Sequence, residues 1–203
     1  MTSSRLFARI FTVLWGAAVV TGFSMMMSFD FTPGDSGDPP AVWPAGSAIK
    51  RQAGRSDLLM ILHPHCPCSR SSLAELEKIA ARTVGLVSLH VILVSPVGAA
   101  AGWAGWAGDD AKMRAESIPG VTLFDDLDGV EASRFRITTS GHTLLYDAAG
   151  LLRFSGGITP ARGHEGDNAG SQAILSFVED ATTTQPTTPV FGCSVVEPPI
   201  CRR

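Results

Sequence analysis

The chain has 203 residues, of which 45% are hydrophobic and 17% are charged, and its formal net charge is −3. This composition supports a packed core and excludes a disordered chain. The charges are spread without a long basic run, so nucleic-acid binding has no electrostatic support and we expect no nucleic-acid partner.

The first feature in chain order is a segment of twenty uncharged residues, Ile10–Phe29. A helix of that length crosses a hydrocarbon core of about 30 Å. Arg5 and Arg9 precede the segment and aspartates follow it, and positive charge tends to stay in the cytoplasm. We therefore predict a short cytoplasmic N-terminus at residues 1–9, a single-pass anchor at 10–29, and a C-terminal part in the periplasm or another extracytoplasmic space.

Two other interpretations of this segment remain open. A cleaved signal peptide would have an apolar core of about 7–15 residues, which is shorter than this one, and would end in an Ala-x-Ala site, which is lacking here. A buried core helix is disfavoured because Asp30–Pro40 separates the segment from the rest of the chain.

The next elements indicate a linker and then an α/β domain. Residues 30–44 are rich in Pro, Gly, Asp and Ser, as in a linker, and we place the domain at residues 45–182. Apolar runs predict buried strands at Leu58–Leu62 and Val87–Val94. Apolar residues at helical spacing predict a helix over Ser69–Ala81 between them.

The second half of the domain continues this alternation and ends in a hairpin and a helix. The pattern leaves Gly98–Gly108 unassigned. It predicts helices at Asp109–Glu116 and Gly129–Phe135, with a strand at Val121–Phe124 between them. A hairpin follows, made of the strands Thr143–Tyr146 and Leu151–Phe154. A long Gly-containing loop at 156–170 and a last helix at Ser171–Asp180 complete the pattern. The order βαβ, then ββα, predicts an α/β fold with a mixed sheet flanked by helices. A Pro- and Thr-rich tail, 183–203, follows.

The most informative motif is His63-Pro64-His65-Cys66-Pro67-Cys68, between the first strand and its helix. The unpaired N–H groups and the dipole at a helix N-terminus stabilise an anion, so a thiolate there has a lowered pKa and is reactive. His65, if protonated, would add to this effect. A Cys66–Cys68 disulfide would close a very small, strained ring, which suits electron exchange better than structural stapling. The alternative is a pair of buried free thiols.

The same motif also offers metal ligands. His63, His65, Cys66 and Cys68 provide imidazole and thiolate groups of the kind that suit Cu(I) or zinc. Ligands so close in sequence rarely converge on one ion, and closed zinc sites use two separated pairs. We expect no cofactor, with copper or zinc binding as the alternative.

Two further groups of residues extend the candidate site. Cys193 and Cys201 indicate a structural disulfide outside the cytoplasm, or a second pair that exchanges electrons with the first. Arg162 and His164 lie in the loop after the hairpin, where they could lower a thiol pKa or hold a carboxylate. The alternative for that loop is a solvated surface. His90, inside an apolar strand, is interpreted as a core residue.

The strand, the Cys motif at a helix start and the ββα ending resemble the thioredoxin superfamily, and residues 121–135 look like the inserted strand and helix of its peroxiredoxin- and TlpA-like branch. Within that branch, residues 42–180 resemble the RedB-type thioredoxin-like proteins. The matching motifs are the Cys motif with Ser69-Arg70, Trp43-Pro44, Ser140-Gly141-His142, Gly156-Gly157-Ile158-Thr159, Arg162-Gly163-His164 and Gly166-Asp167-Asn168.

The resemblance implies a thiol–disulfide oxidoreductase that acts on the thiols and disulfides of partner proteins. Cys66 would attack and Cys68 would resolve the mixed disulfide, but only one residue separates them where the family has two. Ser140, Gly141 and His142 would face Cys66 and contact the partner, with Gly141 in the place of the family's cis-proline. A metal-binding thioredoxin-like module and a thiol peroxidase are the alternatives, although the usual Thr-x-x-Cys environment of a peroxidase is missing.

Overall fold

A computed structural model describes residues 2–95, 108–182 and 185–195. The chain forms two compact units, Met1–Thr32 and Pro33–Arg203. The helices are α1 Thr2–Asp30, α2 Ser69–Arg82, α3 Gly108–Ser117, α4 Val130–Arg134 and α5 Ala169–Asp180. The strands are β1 Ser56–Leu62, β2 Val87–Ser95, β3 Val121–Leu127, β4 His142–Tyr146 and β5 Leu152–Gly156.

The first unit is the long helix α1. Its part from Arg5 to Asp30 is apolar enough and, at 26 residues, long enough to cross a membrane. None of its most apolar window is buried, so α1 is not a core helix. The segment predicted from sequence, Ile10–Phe29, lies wholly inside it.

The second unit is built on a five-stranded sheet in the order β3-β2-β1-β4-β5. β1, β2 and β3 are parallel, whereas β4 runs antiparallel to both β1 and β5. The central strand β1 is buried from Asp57 to Leu62. This explains its unbroken apolar run, because a central strand covered on both faces has no solvent-facing positions. The predicted mixed sheet with flanking helices is confirmed.

Alternate residues of β1 point into two separate cores, as the pleat of a strand requires. Leu58, Met60 and Leu62 pack in the core that α2, α3 and α5 cover. Leu59 and Ile61 pack in the opposite core, whose largest side chains are Phe135 and Tyr146. The sheet thus forms the middle of three layers.

The segment predicted as a linker packs on the domain from Pro33 onward. Thr139 Oγ1 donates a 2.5 Å hydrogen bond to the carbonyl of Asp35, and Tyr146 donates one of 2.8 Å to the carbonyl of Pro40. The Trp43 ring meets Tyr146 edge-on, with centroids 5.3 Å apart. These contacts tie a Pro- and Gly-rich sequence to the domain, so the domain begins earlier than the predicted residue 45.

The tail also belongs to the domain, which therefore does not end at residue 182. Ser155 N–H donates to the carbonyl of Pro186, and Thr139 forms an antiparallel bridge with Ser194. Val190 and Val195 are buried. Residues 96–107, which contain most of the unassigned Gly98–Gly108 segment, lie outside the described residues.

His90 lies in a buried polar cluster far from the chain's cysteine motif in sequence. Its Nε2 atom is 3.2 Å from Oδ1 of Asp57, whose Oδ2 accepts a 2.9 Å hydrogen bond from Nε of Arg51. Asp57 is fully buried, and burial of a carboxylate requires such partners. The prediction of a core histidine is confirmed.

Candidate active site

The cysteine motif forms a tight turn that joins β1 to α2. The N–H of Cys66 donates to the carbonyl of His63, and the N–H of Ser69 donates to the carbonyl of Cys66, both at 3.0 Å. Cys68 is the N-cap residue of α2. The turn thus places the cysteines at the opening of a helix, where backbone N–H groups favour an anion.

The pKa values of Cys66 and Cys68 shift in opposite directions because the two side chains hydrogen bond to each other. A hydrogen bond from the Cys68 thiol is the main cause that lowers the pKa of Cys66 to about 4, against the opposing effect of burial. The same bond, followed by burial, raises the pKa of Cys68 well above its usual value. At neutral pH, Cys66 is therefore a thiolate and Cys68 is its thiol donor.

A third thiol, Cys193, contacts Cys66 from the tail. Its main-chain N–H donates to Cys66 Sγ at 3.4 Å, and its side chain also hydrogen bonds to Cys66 and lowers the pKa of that thiol further. Burial, followed by the hydrogen bond to Cys66, raises the pKa of Cys193 to about 11. Cys66 thus accepts hydrogen bonds from both of its thiol neighbours.

The Cys193–Cys201 disulfide stays a prediction, because Cys201 lies outside the described residues. Among the described residues, Cys66, Cys68 and Cys193 are free cysteines. The sequence offered a second cysteine pair as a signal, but it could not show which sulfur approaches Cys66. Only 4% of the surface of Cys66 is exposed.

The tail reaches the site by pairing with the chain just before β4. The N–H of Ser140 donates to the carbonyl of Cys193 at 2.8 Å, and the N–H of Val195 donates to the carbonyl of Thr138 at 2.9 Å. A Cβ atom at Gly192 would lie 1.9 Å from the carbonyl oxygen of Ser140. Only glycine allows the two backbones to approach this closely.

The Ser140-Gly141-His142 motif is divided between two environments. The Ser140 hydroxyl accepts a 2.9 Å hydrogen bond from the N–H of His63, so it adjoins the cysteine turn as predicted. Gly141 has φ of +86°, and an added Cβ would lie 2.8 Å from Ser72 Oγ. His142 has no exposed surface, so it cannot contact a partner as predicted. Its Nε2 atom lies 2.8 Å from Ser155 Oγ, and burial lowers its pKa to about 4.

Arg162 connects the polar loop to the thiols. Its Nη1 donates a 2.6 Å hydrogen bond to the carbonyl of Gly192, and its charge lowers the pKa of both Cys68 and Cys193. His164, from the same loop, is exposed. Arg162 therefore attaches the loop to the site.

A cleft of about 740 Å³ opens beside Cys66, between the cysteine turn with α2 and the helix α3. His65 lines it, together with Arg70, Met113 and Arg114. Side-chain hydrogen bonds from Cys68 and Cys193 lower the pKa of Cys66, and His65 borders the entrance to the cleft.

The residues proposed as alternative metal ligands do not gather into a metal site in the described structure. Among residues 2–95, 108–182 and 185–195, no group of three or more His, Cys, Asp or Glu side chains could hold an ion. The rings of His63 and His65 lie 5.8 Å apart.

No protein-family model matches this chain, and no curated protein matches it. Among solved structures, an uncharacterized conserved protein from Geobacillus kaustophilus is 18% identical, with a TM-score of 0.60 over 83% of this chain and 94% of that one. A hypothetical protein from Sinorhizobium meliloti 1021 is also 18% identical, with a TM-score of 0.55 over 81% and 94%. The chain has a thioredoxin-like fold.

A secreted Mycobacterium tuberculosis disulfide oxidoreductase, homologous to E. coli DsbE, is also similar in structure. It is 16% identical, with a TM-score of 0.41 over 62% of this chain and 81% of that one. In this chain, the cysteine turn follows the central strand β1, and the tail contacts Cys66 of that turn.

Proposed function

We propose that this protein is a thiol–disulfide oxidoreductase whose attacking group is the thiolate of Cys66. The observation that carries the proposal is the pair of thiol hydrogen bonds to Cys66, from Cys68 and Cys193, at a helix start. Such an environment keeps the sulfur ionised at neutral pH, and the thiolate is the nucleophile in disulfide exchange.

The reaction has two sulfur transfers. The Cys66 thiolate attacks one sulfur of a partner disulfide, a mixed disulfide forms, and the second partner sulfur leaves as a thiolate. A second thiol of the cluster then attacks the Cys66 sulfur and releases the partner's first sulfur, and its proton passes to a released thiolate. The partner gains two electrons and the protein loses two. The sequence motif assigns this second step to Cys68.

The partner enters beside Cys66, through the cleft that His65 and Arg70 line. Ser140 holds the cysteine turn from the other side, because its hydroxyl accepts a hydrogen bond from the N–H of His63. Arg162 stabilises thiolates that form on Cys68 or Cys193 during the exchange.

We further propose that α1 anchors the domain in the cytoplasmic membrane, with the domain on the extracytoplasmic side, as in a RedB-type protein of the TlpA-like branch. The length and apolar composition of Arg5–Asp30 support an anchor, and Arg5 and Arg9 favour this orientation. The full chain should remain with membranes after a carbonate wash and keep its N-terminal sequence. A mature protein that begins after α1 would instead show a cleaved signal.

Redox titration of the full chain in detergent tests the exchange activity. In dithiothreitol buffers, Cys66 should pass between a free thiol and a disulfide, as read by alkylation and peptide mass. The Cys66→Ser variant should lose both this transition and the reduction of a disulfide substrate. A Cys66 that never forms a disulfide, or never reacts with one, would reject the proposal.

A further inference from the structure

Cys193 is a thiol from a separate segment of the chain that contacts Cys66, and its placement is fixed from several sides. Ser140 holds the carbonyl of Cys193 through a 2.8 Å hydrogen bond, and Arg162 holds the carbonyl of Gly192 at 2.6 Å. One residue further on, the Thr139–Ser194 bridge continues the pairing. The tail thus presents Cys193 to Cys66 in the way that an added strand presents a side chain to a sheet edge.

We propose that Cys193 acts as the resolving thiol, so that the oxidised site contains a Cys66–Cys193 disulfide. This inference rests on the proposed function, because it assigns the second step of the same exchange. Cys68 then acts as the hydrogen-bond donor that holds Cys66 as a thiolate.

Ring size favours Cys193 over Cys68 in this step. A Cys66–Cys68 disulfide closes a ring of three residues that includes Pro67, whose φ is fixed. The backbone of this turn is further held by hydrogen bonds from Ser69 to Cys66 and from Ser72 to Cys68. Cys193 comes from a different segment, so the geometry that a disulfide requires can be reached by movement of the tail instead of by distortion of the turn.

The mixed disulfide itself activates Cys193. Burial raises the pKa of Cys193 and, while Cys66 is a thiolate, its hydrogen bond and its negative charge raise that pKa further. Once the Cys66 sulfur is bonded to a partner, that negative charge is gone, whereas the positive charge of Arg162 remains. The thiol of Cys193 therefore ionises more readily at the stage when its attack is needed.

The atoms and electrons of the step balance. The Cys193 sulfur gives up its proton and attacks the Cys66 sulfur of the mixed disulfide. The Cys66–Cys193 bond forms, the bond between Cys66 and the partner breaks, and the partner sulfur leaves with the bonding electron pair and takes up a proton. The net result is a reduced partner dithiol and one protein disulfide.

Single-turnover reaction of the full chain in detergent with glutathione disulfide tests this assignment. Non-reducing peptide mapping of the wild-type protein should give a Cys66–Cys193 link. The Cys193→Ser variant should still form the Cys66–glutathione adduct but lose its resolution, whereas Cys68→Ser should still resolve it. The inference is overturned if Cys193→Ser resolves the adduct at the wild-type rate, or if the mapped bond of the tail is Cys193–Cys201.

A positioning variant separates a chemical role from a general loss of structure. Gly192→Ala places a Cβ atom against the carbonyl of Ser140, so it should slow resolution while adduct formation at Cys66 persists. The Cys201→Ser control should resolve the adduct at the wild-type rate, and a slowed rate in that control would count against Cys193. Failure of Cys66 to form any adduct, in the wild type as in Cys193→Ser, would instead reject the proposed function as a whole.

Discussion

The main-chain N–H of Cys193 donates a hydrogen bond to the Sγ atom of Cys66 across 127 positions of sequence. The cysteine motif alone places the site within six consecutive residues, His63–Cys68, and this contact adds a residue of the tail to it. The site therefore contains three thiols, of which the middle one, Cys66, carries the negative charge.

The ionisation of Cys66 should be visible in its rate of alkylation. Because the pKa of Cys66 is lowered to about 4, the rate of iodoacetamide addition should stay near its maximum between about pH 6 and about pH 8. The rate should fall only in more acidic solution. Rates are followed by mass spectrometry of the Cys66 peptide in the full chain.

Removal of the donor should move this profile upward. Cys68→Ala removes the thiol that is the largest cause of the shift, so the midpoint should rise toward the ordinary value of 9.0, by more than in Cys193→Ala. A wild-type profile that rises steadily up to about pH 9, as for a free thiol, would contradict the thiolate assignment.

His142 should make the stability of the domain depend on pH. Its pKa in the folded protein is about 4, below the ordinary value of 6.5, because burial disfavours the charged ring. Unfolded chains therefore bind an extra proton between these values, so the stabilising contribution is complete above about pH 6.5 and falls as the pH drops toward 4. The loss amounts to about 3 kcal/mol over that interval.

Urea unfolding of the full chain at several pH values checks this linkage. His142→Gln removes the titrating ring and keeps a polar partner for Ser155, so the free energy of unfolding should depend less on pH between 4 and 6.5 than in the wild type. Equal slopes in the two proteins would show that His142 is not the group that responds.

The buried carboxylate of Asp57 should make Arg51 important for stability. Arg51→Met removes the 2.9 Å ion pair and leaves a fully buried carboxylate with His90 as its remaining side-chain partner. We expect a loss of about 2 kcal/mol, less than for a wholly buried pair because Arg51 is partly exposed.

An exposed ion pair provides the matched control for Arg51. Arg82 contacts Glu179 at 2.6 Å, but both side chains are largely in solvent. Arg82→Met should therefore change the free energy of unfolding by less than about 1 kcal/mol. Similar losses in the two variants would mean that the burial of Asp57 is not the cause.

Gly157 should be needed to hold the tail. A Cβ atom there would lie 2.5 Å from the carbonyl oxygen of Pro189, so Gly157→Ala should loosen the tail and speed its limited proteolysis. Gly46→Ala is the control, because its Cβ would come no closer than 3.4 Å, to the Arg134 side chain. Equal cleavage rates in the two variants would contradict close packing at Gly157.

The regular elements could be predicted because each carries its own local signal. The strand at Leu58–Leu62 and the helix over Ser69–Ala81 agree with β1 and α2 to within two residues at each end. An apolar run that needs burial and apolar residues at helical spacing are properties of neighbouring residues, so no distant contact is required to recognise them. The same holds for Cys66 at the helix start.

The packed ends of the domain could not be predicted in this way. Residues 33–44 and 185–195 are rich in Pro, Gly and Thr, a composition typical of linkers and tails, yet they pair with Thr139 and Ser155. Their hydrogen bonds go to residues on other elements, so local composition contains no sign of them.

The sequence by itself determined the α/β alternation, the apolar helix at the N-terminus and the cysteine turn at the start of α2. Only the tertiary structure decided that Cys193 contacts Cys66 and that the side chain of His142 is buried. The physical reason is that helices, strands and turns follow from near neighbours in the chain. The pKa of a thiol depends instead on whichever groups the fold brings within a few ångströms of it.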